Sequence, residues 1–239
     1  MTNQHGRRTP DDGRLLIVDF GNVLYSIDFA RTVRAFEALA GYNGEPIRFG
    51  VDDQDELFFR IDRGELTKEA FRAELRSRFG FTCSDDEIDR AWCAILISPF
   101  PFIDKVISDI RGRFVGARVV MLSNISELHL EQAMRTTPEL FEGVGARRGV
   151  GARHGVRARH GVPLDDYYFS CRIGLRKPSA EVFLYVCERE GVRPEDCVLF
   201  DDSAANCDAA MKLGMRVVRV TPGDPDLAFR ELQGASPDQ

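Results

Sequence analysis

The chain has 239 residues and a net charge of −6 at pH 7, with 44% hydrophobic and 29% charged residues. This composition predicts a globular protein with a sizeable core, organised as one large domain or as a core with a smaller insertion. It argues against a nucleic-acid-binding protein, because affinity for a phosphate backbone needs a dominant basic face.

The amino-terminal segment, residues 1–13, is polar and lacks the apolar centre of a signal peptide, so we expect it to be disordered. No apolar run reaches the length of a membrane span, and we expect no contact with a membrane. The six cysteines include no Cys-x-x-Cys pair, which predicts neither a zinc site nor a disulfide framework. The expected location is the cytoplasm.

The first predicted strand is the apolar run Leu15–Val18, which ends in Asp19 and a Gly-Asn turn. This pattern is typical of a buried strand that delivers one carboxylate to the carboxyl edge of a sheet. Open α/β folds bind their ligands at that edge. The carboxylate is therefore a candidate for the functional site.

The segment 28–113 has a helical pattern and no convincing strand. Asp28 is a predicted N-cap, and Ser84 with Glu87 three residues later predicts a capping box. An all-helical block that follows the first strand has to leave the sheet and return to it. We therefore expect an α-helical cap inserted over the carboxyl edge.

The second half of the chain alternates between strand-like and helical segments. Strands are predicted at 118–122, 167–171, 197–200 and 216–220, and helices at 125–134, 179–190 and 204–213. This alternation predicts a parallel sheet with right-handed crossovers. The expected fold is α/β, with a Rossmann-like core formed by residues 14–27 and 114–235.

A six-residue repeat rich in glycine and arginine occupies residues 143–163 within this core. It offers no apolar face to bury, so we expect a solvated surface loop. An anion-binding arm is an alternative reading. A metal site that uses His154 and His160 is disfavoured, because the two histidines have no acidic or thiol partners in the repeat.

Four polar motifs follow predicted strands in a fixed order. Each is commonplace alone, since Lys-Pro often starts a helix, Asp-Asp often caps one, and Ser-Asn is an ordinary turn; the ordered set is far more specific. The motifs are Asp19, Ser123-Asn124, Lys177 before a proline, and Asp201-Asp202.

With these motifs, the chain resembles the haloacid dehalogenase superfamily, whose members are mostly Mg²⁺-dependent phosphohydrolases. The likeness covers residues 14–235 apart from the repeat. It is strongest to the branch that opens Asp-x-Gly-Asn-Val and includes a bacterial α-D-glucose-1-phosphate phosphatase. The supporting features are Asp19–Val23, Ile27–Phe29, Arg63–Glu65, Leu122–Asn124, Arg176–Pro178, Asp201-Asp202 and Asn206.

The resemblance implies that Asp19 is the nucleophile and forms an aspartyl-phosphate, which divides the reaction into two steps. It also implies a Mg²⁺ cofactor, a cation that prefers hard oxygen ligands. The implied ligands are the carboxylates of Asp19 and Asp202 and the carbonyl oxygen of Gly21. Asp201 is expected to act through a metal-bound water.

Four residues are implied to contact the substrate phosphate. Ser123 would donate to a phosphate oxygen beside a helix N-terminus, and Asn124 would assist through its backbone N–H. Lys177 would balance the negative charge of Asp19 and of the transferring phosphoryl group. Asn22 is the fourth expected substrate-binding residue.

One position departs from the family pattern. Most phosphatases of the superfamily carry an acid two residues after the nucleophile, but this chain has Gly21 there. General acid–base catalysis is typically worth about 10²–10⁴ in rate. Three readings stay open: a substrate with a good leaving group, a substitute acid such as Asp28, Ser26 or a cap residue, or a slow phosphate-binding relative.

The prediction is therefore a phosphatase for a small phosphomonoester, with a sugar phosphate such as a hexose 1-phosphate ranked first. A response-regulator receiver is rejected, because its acidic pair precedes its lysine. A 2-haloacid dehalogenase, a less favoured phosphomutase and a weakly catalytic regulatory module are the alternatives. The oligomeric state, monomer or homodimer, is left open, as is the face of the cap that meets the substrate. Its candidate residues are Phe58, Phe59, Arg60, Arg63 and Trp92.

Overall fold

A parallel five-stranded sheet forms the centre of the computed structural model, which describes residues 14–51, 53–141 and 164–221. The strands in chain order are β1 (Leu15–Val18), β2 (Tyr25–Ile27), β3 (Leu96–Pro99), β4 (Arg118–Ser123), β5 (Asp166–Phe169), β6 (Cys197–Asp201) and β7 (Arg216–Arg219). Two of these strands, β2 and β3, form a separate ribbon. The order across the sheet is β5-β4-β1-β6-β7. The α/β fold with a parallel sheet expected from the sequence is confirmed.

Nine α-helices accompany the strands within the described residues. They are α1 (Phe29–Glu37), α2 (Glu56–Asp62), α3 (Lys68–Phe79), α4 (Asp85–Trp92), α5 (Ile103–Arg113), α6 (Glu127–Thr136), α7 (Ser170–Ile173), α8 (Ala180–Glu190) and α9 (Ala204–Lys212). The predicted N-cap of α1 is confirmed, since Asp28 accepts a hydrogen bond from the backbone N–H of Ala30. The predicted capping box of α4 between Ser84 and Glu87 is also present.

Strand β1 is fully buried because helices cover both faces of the sheet. Its side chains alternate between the faces, as the two-residue period of a strand requires. Leu16 and Val18 belong to the core shared with α5 and α6, whereas Leu15 and Ile17 belong to the core shared with α8 and α9. This packing fixes β1 between β4 and β6, and it brings the carboxyl ends of the three strands to one edge.

Helices α1 to α4 form a unit with its own aromatic core, which we call the helical unit. The Trp92 ring is fully buried at its centre and stacks on Phe58 at 5.3 Å and on Phe36 at 6.2 Å between ring centroids. Aromatic pairs of this kind add about 0.5–1.5 kcal/mol each beyond area burial. The unit therefore has the apolar contacts to hold its shape over the sheet edge.

The structure corrects the expected all-helical segment 28–113 in two places. Strand β3 lies within it and pairs antiparallel with β2 to form a ribbon between the helical unit and the sheet. Helix α5 packs on the sheet, because its Ile103, Val106 and Ile107 belong to the core of β1 and β4. The helical block is thus shorter at its carboxyl end than its pattern predicted.

Three expectations lie outside the described residues: the disordered segment 1–13, the repeat loop 143–163, and the end of the core after residue 221. Among the helices that the structure describes, none combines the length and apolar character needed to cross a bilayer.

Candidate functional site

Three carboxylates meet at the carboxyl edge of the sheet. Asp19 directly follows β1, Asp201 is the last residue of β6, and Asp202 comes next. Each offers an oxygen within 4.8 Å of the other two. The neighbouring positions of β1 and β6 bring these acids together, as the sequence predicted.

Lys177 compensates the charge of this cluster. Its Nζ atom lies 2.8 Å from Oδ1 of Asp19 and 2.6 Å from Oδ2 of Asp201, and the side chain is only 1% exposed. Burial disfavours the ammonium charge, but the two carboxylates outweigh this effect and raise the lysine pKa. Lys177 is therefore a fixed positive charge beside Asp19.

Asp19 is held in a balance of opposing effects. Burial raises the pKa of its carboxyl group to about 7; Lys177 opposes the rise, and the charges of Asp201 and Asp202 add to it. Its Oδ1 atom also accepts a hydrogen bond from the backbone N–H of Phe20 at 2.7 Å. A bound cation would favour the ionised form of such a crowded carboxylate.

The two adjacent acids differ in how much of their hydrogen-bonding capacity is used. Asp201 accepts from Nδ2 of Asn206 at 2.9 and 3.1 Å, from the backbone N–H of Ser203 at 3.0 Å, and from Lys177. Asp202 lines the open cavity and accepts from Nδ2 of Asn22 at 3.0 Å. Asp202 is thus the better placed of the pair to hold a ligand directly.

The donor set fits a hard divalent cation. The carboxylates of Asp19 and Asp202 and the backbone at Gly21 line one cavity, and oxygen ligands of this kind suit Mg²⁺. Burial raises the pKa of Asp202, and the charge of Asp201 adds to the rise, while the Asn22 amide and Lys177 oppose it. This fit agrees with the ligands implied from the sequence, and the individual assignments stay predictions.

Ser123, Asn124 and Asn22 also line this cavity. Ser123 ends β4 and is 2% exposed, beside the start of α6. The Asn124 side chain exchanges two 2.9 Å hydrogen bonds with the backbone of Lys177, which positions the lysine. The Asn22 side chain holds Asp202 and accepts from the N–H of Ile27. The amide side chains of Asn22 and Asn124 thus have partners within the protein, and their expected contacts with substrate remain predictions.

The side chain of Ile27 lies in the space beside Gly21. A Cβ atom built on Gly21 would lie 2.6 Å from Cδ1 of Ile27, so the space is already occupied. Two suggested substitutes do not line the cavity: Ser26 belongs to the β2–β3 ribbon, and Asp28 caps α1. Of the three suggested replacements for the missing acid, the geometry therefore leaves a residue of the helical unit.

The cavity has a volume of about 310 Å³ and extends from the carboxylates to the helical unit. Of the five residues considered for the substrate-facing side, Phe59 lines it. Trp92 and Phe58 belong to the aromatic core, while Arg60 pairs with Glu74 and Arg63 with Glu56 and Glu65.

Sequence reasoning gave no site role to several polar residues of the cavity wall, among them Gln54, Asp62, His129 and Arg176. For Asp62 a signal was available. It follows Phe58 by four residues on α2 and so falls on the apolar stripe of that helix, where an acid is unexpected. Gln54, His129 and Arg176 show no comparable signal in the sequence.

His129 on α6 is predicted to make stability depend on pH. Its ring stacks on Trp92, Nε2 lies 3.0 Å from the Trp92 carbonyl oxygen, and burial lowers its pKa from 6.5 to about 4. The unfolded chain takes up a proton at higher pH than the folded chain does. Acidification from pH 7 to pH 5 should therefore cost the folded state about 2 kcal/mol through this group.

The His129→Gln variant should lack this contribution, because glutamine can keep the donor to Trp92 without titrating. Urea unfolding of both proteins at pH 7 and pH 5 measures the difference. The variant should gain about 2 kcal/mol relative to wild type at the lower pH. All other titrating groups cancel in this comparison, so an equal stability difference at both pH values speaks against the assignment.

Comparison with known proteins places this geometry in a family. The profile of haloacid dehalogenase-like hydrolases matches residues 14–214. A D-ribitol-5-phosphate phosphatase from Bacteroides thetaiotaomicron is 26% identical over 213 residues, which cover 87% of this chain and 92% of that protein.

Solved structures give the same result. A haloacid dehalogenase-family enzyme from Bacteroides thetaiotaomicron, in complex with magnesium and inorganic phosphate, superimposes with a TM-score of 0.69 at 26% identity, covering 88% of this chain and 95% of that one. A predicted hydrolase of the same family from Porphyromonas gingivalis shares the fold, with a TM-score of 0.69 at 22% identity and coverage of 93% and 98%. The chain belongs to the haloacid dehalogenase-like hydrolase family.

Proposed function

We propose that the protein is a Mg²⁺-dependent phosphatase that hydrolyses a small phosphomonoester through an aspartyl-phosphate. The observation that carries this proposal is the buried Asp19, held by Lys177 beside the Asp201-Asp202 pair in the wall of one cavity. The family match and the magnesium and phosphate in the related Bacteroides structure support it.

In the first proposed step, an oxygen of Asp19 attacks the phosphorus atom, and the bond from phosphorus to the leaving oxygen breaks. The leaving oxygen takes up a proton from solvent, and the water that attacks in the second step returns one to solvent. Lys177 balances the charge on Asp19 and the phosphoryl group, while Ser123 donates to a phosphate oxygen. In the second step, water attacks the aspartyl-phosphate, which releases inorganic phosphate and restores Asp19. Mg²⁺, held by Asp19, Asp202 and the Gly21 carbonyl, would reduce the repulsion between the carboxylate and the dianionic ester.

The helical unit acts in this proposal as a cap that excludes water from the reaction. It contacts the core closely: the Ser170 hydroxyl donates to the carbonyl oxygen of Asp62 at 2.6 Å. A Cβ atom at Gly64 would lie 2.1 Å from the carbonyl oxygen of Cys171, so only glycine permits this approach. The cap and core thus meet through close contacts with backbone carbonyl oxygens beside the cavity.

The organic part of the substrate is proposed to be a sugar or a sugar alcohol. The missing acid at Gly21 favours a leaving group that needs little protonation, such as the anomeric oxygen of a hexose 1-phosphate. The relative's activity on D-ribitol 5-phosphate supports the wider class of polyhydroxylated phosphates. A substrate panel decides between these esters.

Removal of divalent metal is expected to lower phosphatase activity by about 100-fold or more, because the crowded carboxylates then repel the substrate. The measurement is phosphate release from p-nitrophenyl phosphate and from a panel of sugar phosphates, nucleotides and phosphorylated glycolytic acids. Protein treated with EDTA should be inactive, and added Mg²⁺ should restore turnover. Activity that is unaffected by the chelator would refute the metal assignment.

Two alternatives are tested in the same assay. A 2-haloacid dehalogenase would release halide from haloacetate faster than phosphate from every ester; the Asp201-Asp202 pair argues against it, because a metal-free site gains nothing from added negative charge. A regulatory module would bind phosphate analogues such as vanadate without any turnover. Either outcome would overturn the proposed activity.

A further inference from the structure

Three polar side chains line the cavity wall near the junction of the helical unit and the core. Asp62 is the last residue of α2, Gln54 precedes that helix, and Arg176 comes just before Lys177. They take no part in the proposed phosphoryl transfer. Two of their buried N–H groups have no hydrogen-bond partner among the described residues.

Asp62 is the most unusual of the three. It is only 7% exposed, yet its carboxylate makes no salt bridge within the part of the chain that the structure describes. Burial raises its pKa to about 6, while Arg176 and the Gln54 amide limit the rise. At neutral pH it therefore remains largely an ionised acceptor inside a cavity.

The two neighbours of Asp62 are donors with unused N–H groups. Within the described residues, Nε2 of Gln54 and Nε of Arg176 are buried without a hydrogen bond of normal geometry. The Arg176 guanidinium lies over the Phe59 ring at 4.3 Å from its centroid, which fixes its plane. Buried polar atoms without partners are costly, and these two side chains line the cavity, where a ligand can satisfy them.

We propose that Asp62, Gln54 and Arg176 bind the hydroxyl groups of the leaving group and so select an uncharged polyhydroxylated phosphate ester. This inference rests on the proposed phosphatase function. A hydroxyl both donates and accepts, so it can give its proton to Asp62 while it accepts from Gln54 or Arg176. An alkyl chain can do neither.

Charge and size support the same substrate class. The carboxylate of Asp62 and the guanidinium of Arg176 balance each other, so a leaving group with a carboxylate or a second phosphate would add an uncompensated charge to a buried site. The cavity volume of about 310 Å³ lies at the lower end of the ~300–1,000 Å³ usual for ligand pockets. The same cavity also has apolar lining residues, which include Phe49, Phe59 and Leu96, and these suit a short carbon chain.

The test compares pairs of esters that share a carbon chain and differ in hydroxylation: ribitol 5-phosphate with n-pentyl phosphate, and glucitol 6-phosphate with n-hexyl phosphate. The measured quantity is the ratio of kcat/KM within each pair, with Mg²⁺ present. Wild type should favour one hydroxylated ester by at least about 10-fold, the effect of one charge-assisted hydrogen bond. Asp62→Leu should reduce this preference by about 10-fold or more, mainly by raising KM for the hydroxylated ester.

Two further variants keep the test decisive. Gln54→Leu should reduce the same preference, and it replaces Asp62→Leu if that protein does not fold. Asp86→Leu is the matched control, because Asp86 is exposed on α4 and does not line the cavity. It should keep the wild-type ratio.

The outcomes separate this inference from the proposed function. If wild type with Mg²⁺ cleaves neither member of any pair, nor p-nitrophenyl phosphate, nor any ester of the sugar phosphate panel including hexose 1-phosphates, the phosphatase proposal fails and the inference falls with it. If wild type cleaves the alkyl and hydroxylated esters equally well, only the inference fails. It also fails if Asp62→Leu and Gln54→Leu keep the preference, or if they lower kcat for both esters with KM unchanged.

Discussion

Replacing Asp19 by asparagine should lower kcat for phosphate release by at least about 10⁴-fold, while the protein stays folded. Asparagine has nearly the same shape as aspartate but no carboxylate to attack phosphorus. Burial already disfavours the charge at this position, raising the pKa of Asp19 to about 7. Loss of that charge should therefore not lower the free energy of unfolding.

The assay follows both turnover and the covalent intermediate. Wild-type protein quenched in acid during the reaction should carry covalently bound phosphate that is stable in acid and labile in base. The Asp19→Asn protein should carry none. Asp28→Asn is the matched comparison: Asp28 caps α1 outside the cavity, and asparagine caps helices equally well. A labelled Asp19→Asn protein would mean that the nucleophile has been misassigned. A large loss of activity in Asp28→Asn would instead return Asp28 as the substitute acid.

Replacing Lys177 by methionine should remove both activity and a large part of the stability. The side chain is buried between Asp19 and Asp201, so its loss leaves two buried carboxylates without their cation. Breaking a buried ion pair on one side typically costs about 3–5 kcal/mol. Loss of a fixed charge beside the transferring group should also lower kcat by about 10²–10³-fold.

Denaturant unfolding in the presence of EDTA measures the stability effect without a metal to compensate for it. The double variant Lys177→Met with Asp201→Asn should recover part of the stability but none of the activity, because it removes one of the uncompensated charges. Lys68→Met is the matched control, since Lys68 pairs with Glu131 at the partly exposed surface. Ion pairs at the surface contribute about 0–1 kcal/mol to stability. If Lys177→Met and Lys68→Met lose the same free energy of unfolding, Lys177 has no special role in stability.

The main features of the site were predictable because they depend on strand ends. Asp19 and Asp201 each close a run of buried apolar residues, and adjacent parallel strands deliver such positions to one edge. Lys177 was identified from its motif and its order in the chain, and the structure brings its Nζ atom to both acids.

Features that depend on contacts distant in sequence were not predictable in the same way. Strand β3 has four residues and forms because it pairs with β2, about 70 residues earlier in the chain. Its residue pattern taken alone resembles the end of a helix. The apolar face of α5 has helical spacing whether it packs on the helical unit or on the sheet. The polar wall at Gln54 and Arg176 comes from segments that only the folded chain brings together.

The methyl group of Ile27 beside Gly21 couples the side chains that these two positions can hold together. An aspartate introduced at position 21 alone would meet Ile27 Cδ1 and force that side chain into another rotamer. A prior exchange of Ile27 for a shorter residue would clear the space, for about 0.5–1.5 kcal/mol of lost packing if valine replaces it. Libraries that vary one position at a time therefore under-sample the path to an acid-assisted descendant, whereas joint variation of both positions opens it.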